Sequence, residues 1–193
     1  MLPGTDNLRF FLREATSSAH DGLDGAMREE AGWETRSGYA RFLAIQYRAR
    51  LSVEEWLVHH APSGLLPPPQ FPLIAKDLAA LDEVLPESPT IFAFDDTSPA
   101  AALGIAWAVA GSSLGNRAIL KDIRRSQSSD GRWPDRFLAD GAMQAFWSSL
   151  RRQIERPASG PEADAARLSA IALFNHFTNT VAAQASEQKA LAS

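Results

Sequence analysis

The sequence of 193 residues contains no cysteine. Disulfide bonds, thiolate ligation of zinc or iron, and cysteine nucleophiles are therefore excluded, so a metal site would have to use histidine or carboxylate ligands. No apolar run approaches the roughly 18 residues that a membrane-spanning helix needs, and the first residues lack a basic segment followed by an apolar stretch. We therefore expect a cytoplasmic protein that does not span a membrane.

An excess of basic charge is also missing. The net charge is −4, and the arginines and lysines are scattered along the chain. This gives no electrostatic reason to expect a nucleic acid or an anionic membrane as partner. The hydrophobic content of 45% is sufficient for the core of one domain of this length. We expect a single domain over residues 1–193, with a frayed tail at 185–193.

The alternating pattern of a half-buried strand is absent as well, whereas apolar residues recur at three- and four-residue spacing. This periodicity predicts an all-α fold, a single-domain helical bundle. Capping residues, glycines and prolines place the helix boundaries and a loop at 126–131. The predicted helices run from Thr5 or Asp6 to Gly32, from Ser37 to a stop at Pro62, from Leu73 to Val84, from Pro99 to Arg124, from Phe137 to Arg152, and from Glu162 to Gln184.

His20 lies on one strip of the first predicted helix together with Arg13, Thr16, Asp24 and Met27. Arg13 precedes it by two turns, about 10 Å along the helix axis, a workable distance between an axial iron ligand and a porphyrin propionate. Asp24 follows one turn later and can hold the other imidazole nitrogen. The pattern equally fits a structural histidine whose hydrogen bonds are satisfied by its neighbours. Both interpretations stay open on this helix alone.

Two glycines interrupt the fourth predicted helix. Gly111 and Gly115 each cost about 1 kcal/mol relative to alanine in a helix interior, and they lie about 40° apart on the helical wheel. Their main chain would allow close approach of a flat ligand. Close packing of another helix would use the same residues, and Gly104 and Ala108 extend the small-residue stripe in a way that fits such a seam.

Together the two segments resemble the heme oxygenase family, in particular its bacterial branch. In that family a histidine on the first helix, in a pattern like Glu14-Ala15-Thr16-x-x-Ala19-His20, is the proximal heme ligand. A kinked distal helix with Gly-Ser-x-Leu-Gly, matched here by residues 111–115, crosses the opposite face. The resemblance covers most of the chain and implies a heme oxygenase-like all-α fold.

The resemblance also implies residue roles. His20 would ligate the heme iron, and Gly111, Ser112 and Gly115 would form the distal wall at which oxygen is activated. The other heme-binding residues that it implies are Arg13, Thr16, Asp24 and Phe174. A strong Asp24 bond would increase electron donation from the imidazole and favour peroxidase-like cleavage, so we predict a long or water-mediated contact between the two side chains.

The activity implied is oxidative cleavage of heme, as both cofactor and substrate, to biliverdin, carbon monoxide and ferrous iron. The chain has no nucleotide-binding glycine loop after a strand, so a ferredoxin, a flavodoxin or another reductase is expected to supply electrons. Two alternatives stay open. One is a heme or tetrapyrrole carrier or sensor of the same fold, and the other is a helical interaction domain without a ligand.

Three positions depart from the family pattern. Asn116 replaces the second glycine of a common Gly-Gly pair, Ala110 replaces a frequent glutamate, and Ser112 stands where animal enzymes carry a catalytic aspartate. The last helix also shows no obvious basic residue on the side of Phe174. These departures bear on turnover rather than on fold.

The other histidines have a structural interpretation. His59 and His60 lie at a helix end before Pro62, where the helix dipole favours an imidazole, and we expect them at the surface. His176 lies in an apolar neighbourhood on the last helix. It is the rival of His20 as a ligand, but we expect a buried histidine with a hydrogen bond.

Overall fold

The computed structural model describes residues 4–87, 89–126 and 132–191. The described part of the chain forms six α-helices and a short 3₁₀ turn at Ser63–Leu65, so the all-α prediction is confirmed. An isolated pair of backbone hydrogen bonds joins Thr5 to Ala158. The helices are α1 (Leu8–Ala31), α2 (Arg36–His60), α3 (Phe71–Ala80), α4 (Pro99–Ser126), α5 (Gly141–Ile154) and α6 (Gly160–Leu191).

The ends of α1 show which capping predictions were right. Gly32 ends the helix as predicted, because it adopts a left-handed conformation with φ 55° that suits glycine. The predicted N-caps Thr5 and Asp6 were wrong. The backbone of Thr5 is paired with Ala158, and Asn7 caps the helix by accepting the N–H of Phe10 at 3.2 Å.

Two further helix boundaries differ from the prediction. Helix α3 ends at Ala80 rather than Val84, because Asp82 takes φ 61° and the N–H of Glu83 turns back to the carbonyl of Leu78. Helix α5 begins at Gly141 rather than at Phe137. The carboxylate of Asp140 accepts the N–H groups of residues 142 and 143, which defines the start of the helix. Residues 127–131 of the predicted loop lie outside the described residues.

Helix α6 extends past its predicted end at Gln184 and runs to Leu191, while the expected fraying of the tail stays a prediction. Glu187 explains the difference. Its carboxylate receives two hydrogen bonds from the guanidinium of Arg48 in α2, at 2.7 and 2.8 Å, and Gln184 receives another at 2.9 Å. Such a bidentate pair holds the end of α6 against α2. Residues 192 and 193 lie outside the described residues.

Helix α6 is the element on which the others assemble, with α1, α2 and α4 packed along it. Within the described residues α1 and α4 make hardly any contact with each other. Gly104 brings α4 against α6, since a Cβ at this position would collide with the carbonyl of Ala166 and the hydroxyl of Ser169. Helices α1 and α4 are thus each packed against α6 rather than against each other. Among the described helices, none combines the length and apolar character that crossing a bilayer requires.

Candidate functional site

A cavity of about 1030 Å³ opens between α1 and α4. Its volume is at the upper end of the range of ligand pockets, about 300–1,000 Å³. Residues of α2, α5 and α6 complete the lining. All eight residues predicted as site residues line this cavity, namely Arg13, Thr16, His20, Asp24, Gly111, Ser112, Gly115 and Phe174.

His20 presents a half-exposed imidazole to the cavity, with 52% of its side chain accessible. Its Nδ1 lies 3.5 Å from an oxygen of Asp24 and 3.7 Å from an oxygen of Asp21, both longer than a good hydrogen bond. The ring packs edge-to-face on Phe174, with 5.5 Å between centroids. Its Nε2 has no hydrogen-bond partner in the part of the chain that the structure describes. One nitrogen of the ring is therefore available to a ligand.

The small-residue stripe of α4 serves two purposes. The helix-packing interpretation holds for Gly104, which touches α6. It does not hold for Gly115, because a Cβ built there would meet nothing within 4 Å, and at Gly111 the nearest atom is a ring carbon of Trp147 at 3.8 Å. The main chain at 111 and 115 thus faces open space across from α1.

The side chains around the mouth of the cavity include two arginines of α1. Arg9 is paired with Glu155 at 2.9 Å. Arg13 is exposed and, among the described residues, forms no ion pair. Thr16 is buried and donates its hydroxyl proton to the carbonyl of Leu12 at 2.8 Å. Arg13 is therefore the cation of this edge that is available to a carboxylate of a ligand.

Four buried or half-buried polar side chains form one end of the cavity, which we call the inner wall: Gln46, Arg50, Ser112 and Asn116. The Ser112 hydroxyl donates to the carbonyl of Val109 at 2.7 Å and accepts from Nη2 of Arg50 at 2.8 Å. Its single proton is therefore in use. The catalytic role predicted for Ser112 stays a prediction. In this geometry the N–H donors of the inner wall belong to Gln46, Arg50 and Asn116.

Gln46 and Arg50 line the cavity but were not predicted as site residues from the sequence. Arg50 is only 2% exposed and donates through Nε to the side-chain oxygen of Gln46 at 3.0 Å. A signal was present, because positions 46, 50, 53 and 57 follow helical spacing and the last two are apolar and buried. A charged residue inside an apolar stripe of this kind is the pattern to look for.

Burial determines the electrostatics of the inner wall. It lowers the pKa of Arg50 to about 10, against a smaller opposite effect of the Glu54 carboxylate. Burial likewise raises the pKa of Glu54, which Arg50 and the backbone N–H groups of Gln70 and Phe71 partly offset. A guanidinium with a pKa near 10 is still protonated at neutral pH. The inner wall therefore carries a positive charge.

Two of the departures from the family pattern differ in their position. Ala110 lies in the core and does not line the cavity. Asn116 lines the cavity and is 7% exposed.

The remaining histidines are placed as expected. His176 is buried, and its Nε2 donates to the carbonyl of Ala49 at 3.0 Å, which confirms the core histidine. His59 and His60 are exposed. The described residues contain no cluster of three or more His, Cys, Asp or Glu side chains that could hold a metal ion.

The helix arrangement has a close match among solved structures. The NO- and CO-bound heme oxygenase from Neisseria meningitidis aligns with a TM-score of 0.67 over 92% of this chain and 92% of its own, at 17% sequence identity. The chain has the heme oxygenase fold. No protein-family model and no curated protein sequence matches it. The structural alignment thus shows the heme oxygenase fold, and at 17% sequence identity it shows the fold alone.

The residues around the cavity fit heme. An imidazole is a suitable iron ligand, and His20 offers one nitrogen without a partner. The bare main chain at Gly111 and Gly115 leaves room that a Cβ would narrow, which suits a flat ring. Arg13 supplies a cation at the mouth, where a carboxylate would remain hydrated.

Proposed function

We propose that this protein is a heme oxygenase of the bacterial, biliverdin-forming kind. The observation that carries the proposal is that His20 and the exposed main chain of Gly111 and Gly115 line one cavity large enough for a macrocycle. The heme oxygenase fold supports it. We place the protein in the cytoplasm.

The site residues have separate tasks in this proposal. His20 would ligate the heme iron, and Phe174 holds the plane of the imidazole ring by the edge-to-face contact. Asp24 would orient the imidazole through a contact of 3.5 Å, which is too long for a strong hydrogen bond that would increase electron donation from the ring to the iron. Arg13 binds a propionate, and Thr16 fills the helix surface between them. When bound, heme supplies the iron that activates oxygen and is itself the molecule that is cleaved to biliverdin, carbon monoxide and ferrous iron.

Residues of α4 would shape the part of the cavity that lies across from His20. Because Gly111 and Gly115 have no side chains, their backbone would itself form the α4 wall of a heme pocket and would limit the space left there for a small ligand. Ser112 is held by two hydrogen bonds and keeps this turn of α4 in place. Electrons come from a ferredoxin, a flavodoxin or another reductase, since no nucleotide-binding loop is present in the sequence.

A hemin titration tests the ligand. We expect the wild-type protein to bind one hemin with a shifted Soret band, and His20→Ala to lose affinity by about 10-fold or more. Added imidazole should restore the wild-type spectrum of this variant. His59→Ala is the matched control, because His59 is exposed on α2 and does not line the cavity. A His20→Ala complex with an unchanged spectrum would contradict the ligand assignment.

Turnover separates the enzyme from a carrier or sensor of the same fold. With oxygen and either ascorbate or a reductase, the Soret band of the enzyme should bleach while a bilin absorption appears. The carrier alternative is favoured by one observation, that the Ser112 proton is already engaged with Val109. A stable ferrous complex that yields no bilin would establish the carrier and reject the oxygenase.

A further inference from the structure

Arg50 is a buried cation without an ion-pair partner. It is 2% exposed, and no carboxylate of the described residues lies within ion-pair distance of it. Glu54 is near enough to act on its pKa, but the Glu54 oxygens accept the backbone N–H groups of Gln70 and Phe71 at about 3 Å. An unpaired charge away from water is strongly unfavourable unless another group compensates it.

The surroundings of Arg50 compensate this charge only in part. Phe137 and Phe177 lie with their rings 5.1 and 5.8 Å from the guanidinium carbon, which gives favourable cation–π contacts. Nε donates to Gln46 and Nη2 donates to Ser112. Both of these acceptors are neutral. A guanidinium has more N–H donors than these two bonds use, and Nη1 has no partner in the described part of the chain.

The unused donors lie at the cavity. Arg50 and Asn116 both line it, both are more than nine-tenths buried, and the Asn116 amide likewise forms no hydrogen bond with the residues that the structure describes. Ser112 places Arg50 on the α4 side, whereas His20 belongs to α1. A negative charge on the α4 side of the cavity would therefore meet a fixed positive charge and two sets of free N–H donors.

We propose that Arg50 forms an anion-binding subsite on the α4 side of the cavity, with small anions or the negative end of a small ligand as its occupants. The proposal rests on the function proposed above, because that function places such ligands between the heme and α4. Arg50 acts on them directly, through its free N–H groups. Its bond to Ser112 only orients the guanidinium.

Azide affinity of the ferric hemin complex tests the subsite. Arg50→Met removes the charge and keeps an apolar side chain of similar length, and we expect azide to bind about 10- to 100-fold more weakly to this variant. Hemin binding itself, with its dependence on His20, should be unchanged. Arg41→Met is the matched control. It removes an arginine of the same helix that does not line the cavity, so its azide affinity should equal that of the wild type.

The contradicting results are distinct. Equal azide affinity in wild type and Arg50→Met would reject the subsite, and equal losses in Arg50→Met and Arg41→Met would reject it as well, because the loss would then not depend on a side chain that lines the cavity. Circular dichroism and thermal melting check that the variants fold. If Arg50→Met does not fold, Arg50→Gln replaces it, because glutamine also removes the charge, and an azide affinity equal to the wild type would again contradict the proposal.

The apoprotein gives a readout that does not depend on heme. The Arg50 Nε–H resonance, assigned by its absence in Arg50→Lys, should shift on titration with sodium azide and reach saturation. Sodium chloride at the same ionic strength is the control for screening. Failure of His20 to bind hemin would reject the proposed function, whereas an unmoved Nε–H resonance would reject the subsite.

Discussion

His20 and His176 are the same side chain in opposite surroundings. His20 is half exposed at a cavity and keeps one nitrogen without a described partner, while His176 is buried and donates to the carbonyl of Ala49. If the His176 imidazole turned away to bind a ligand, the carbonyl of Ala49 would stay buried without a hydrogen-bond donor, which is unfavourable. The difference in hydrogen bonding therefore determines which of the two histidines is free to bind a ligand.

His176 makes the stability of the fold sensitive to mild acid. Burial lowers its pKa below the ordinary value of 6.5, and the bond to Ala49 offsets this only in part. The unfolded chain therefore takes up a proton as pH falls below about 6.5, while the folded protein does not, and stability decreases over that window. In His176→Gln, which keeps an N–H donor, we expect a flatter dependence, by at most about 1.4 kcal/mol per pH unit.

Urea unfolding at pH 5, 6, 7 and 8 measures this difference. Comparing the two proteins at each pH removes the contribution of groups that they share, including Glu54, whose pKa is shifted in the opposite direction. Parallel curves of unfolding free energy against pH would mean that His176 is protonated in the folded state as readily as in the unfolded chain.

Arg50 shows why part of the site was not predicted from the sequence. An arginine on a helix is usually solvated or paired with a carboxylate, and the nearby Arg48, although buried, is paired with Glu187. The partner that reveals Arg50 is Ser112, 62 positions away in sequence. Helical periodicity can identify a charged residue in an apolar stripe, but only the packing of α2 beside α4 shows what that charge faces.

At the scale of elements, α4 combines a packing seam and a ligand-facing wall within one helix. Gly104 meets α6 so closely that no side chain fits, whereas Gly115 about three turns later faces open space. The sequence offered both interpretations for one stripe. Each interpretation is right for part of the stripe, because α4 packs on α6 at Gly104 and lines the cavity at Gly115.

This division predicts opposite effects of the same substitution. Gly104→Ala forces a methyl group into the Ala166 carbonyl and should destabilise the protein by about 1–3 kcal/mol. Gly115→Ala gains helix propensity without a clash and should raise the unfolding free energy by about 0.5–1 kcal/mol. Its methyl group projects into the cavity, so hemin affinity should fall. Chemical unfolding and hemin titration of both variants measure this, and a stable, hemin-binding Gly104→Ala would contradict the assignment.

Helix boundaries were predictable where one residue determines them. Gly32 and Pro62 end α1 and α2 as expected, because left-handed geometry and a missing N–H act locally. The predicted end of α6 at Gln184 was wrong because Glu187 is bound by Arg48, and the predicted start of α5 was wrong because the N–H of Phe137 is taken by Asp77 at 2.9 Å. Those contacts are tertiary, and local patterns do not contain them.

At the scale of the molecule, the cavity exists because α1 and α4 are joined through α6 and hardly touch each other. The helix arrangement as a whole aligns with that of a solved heme oxygenase at 17% identity. The helical class and the pair of segments at 14–20 and 111–115 were predictable from the sequence. The gap between α1 and α4 was not predictable, because it depends on how both helices pack against α6.

A ligand that fills the gap should couple the two walls. If heme binds as proposed, amide hydrogen exchange should slow in residues 13–27 of α1 and 107–119 of α4 together, because binding suppresses local opening of both. Helix α3, which does not line the cavity, is the internal reference. Hydrogen-exchange mass spectrometry with and without hemin measures the effect, and His20→Ala should weaken it on both helices. Protection confined to one of the two helices would mean that hemin lies on the surface of that helix rather than between them.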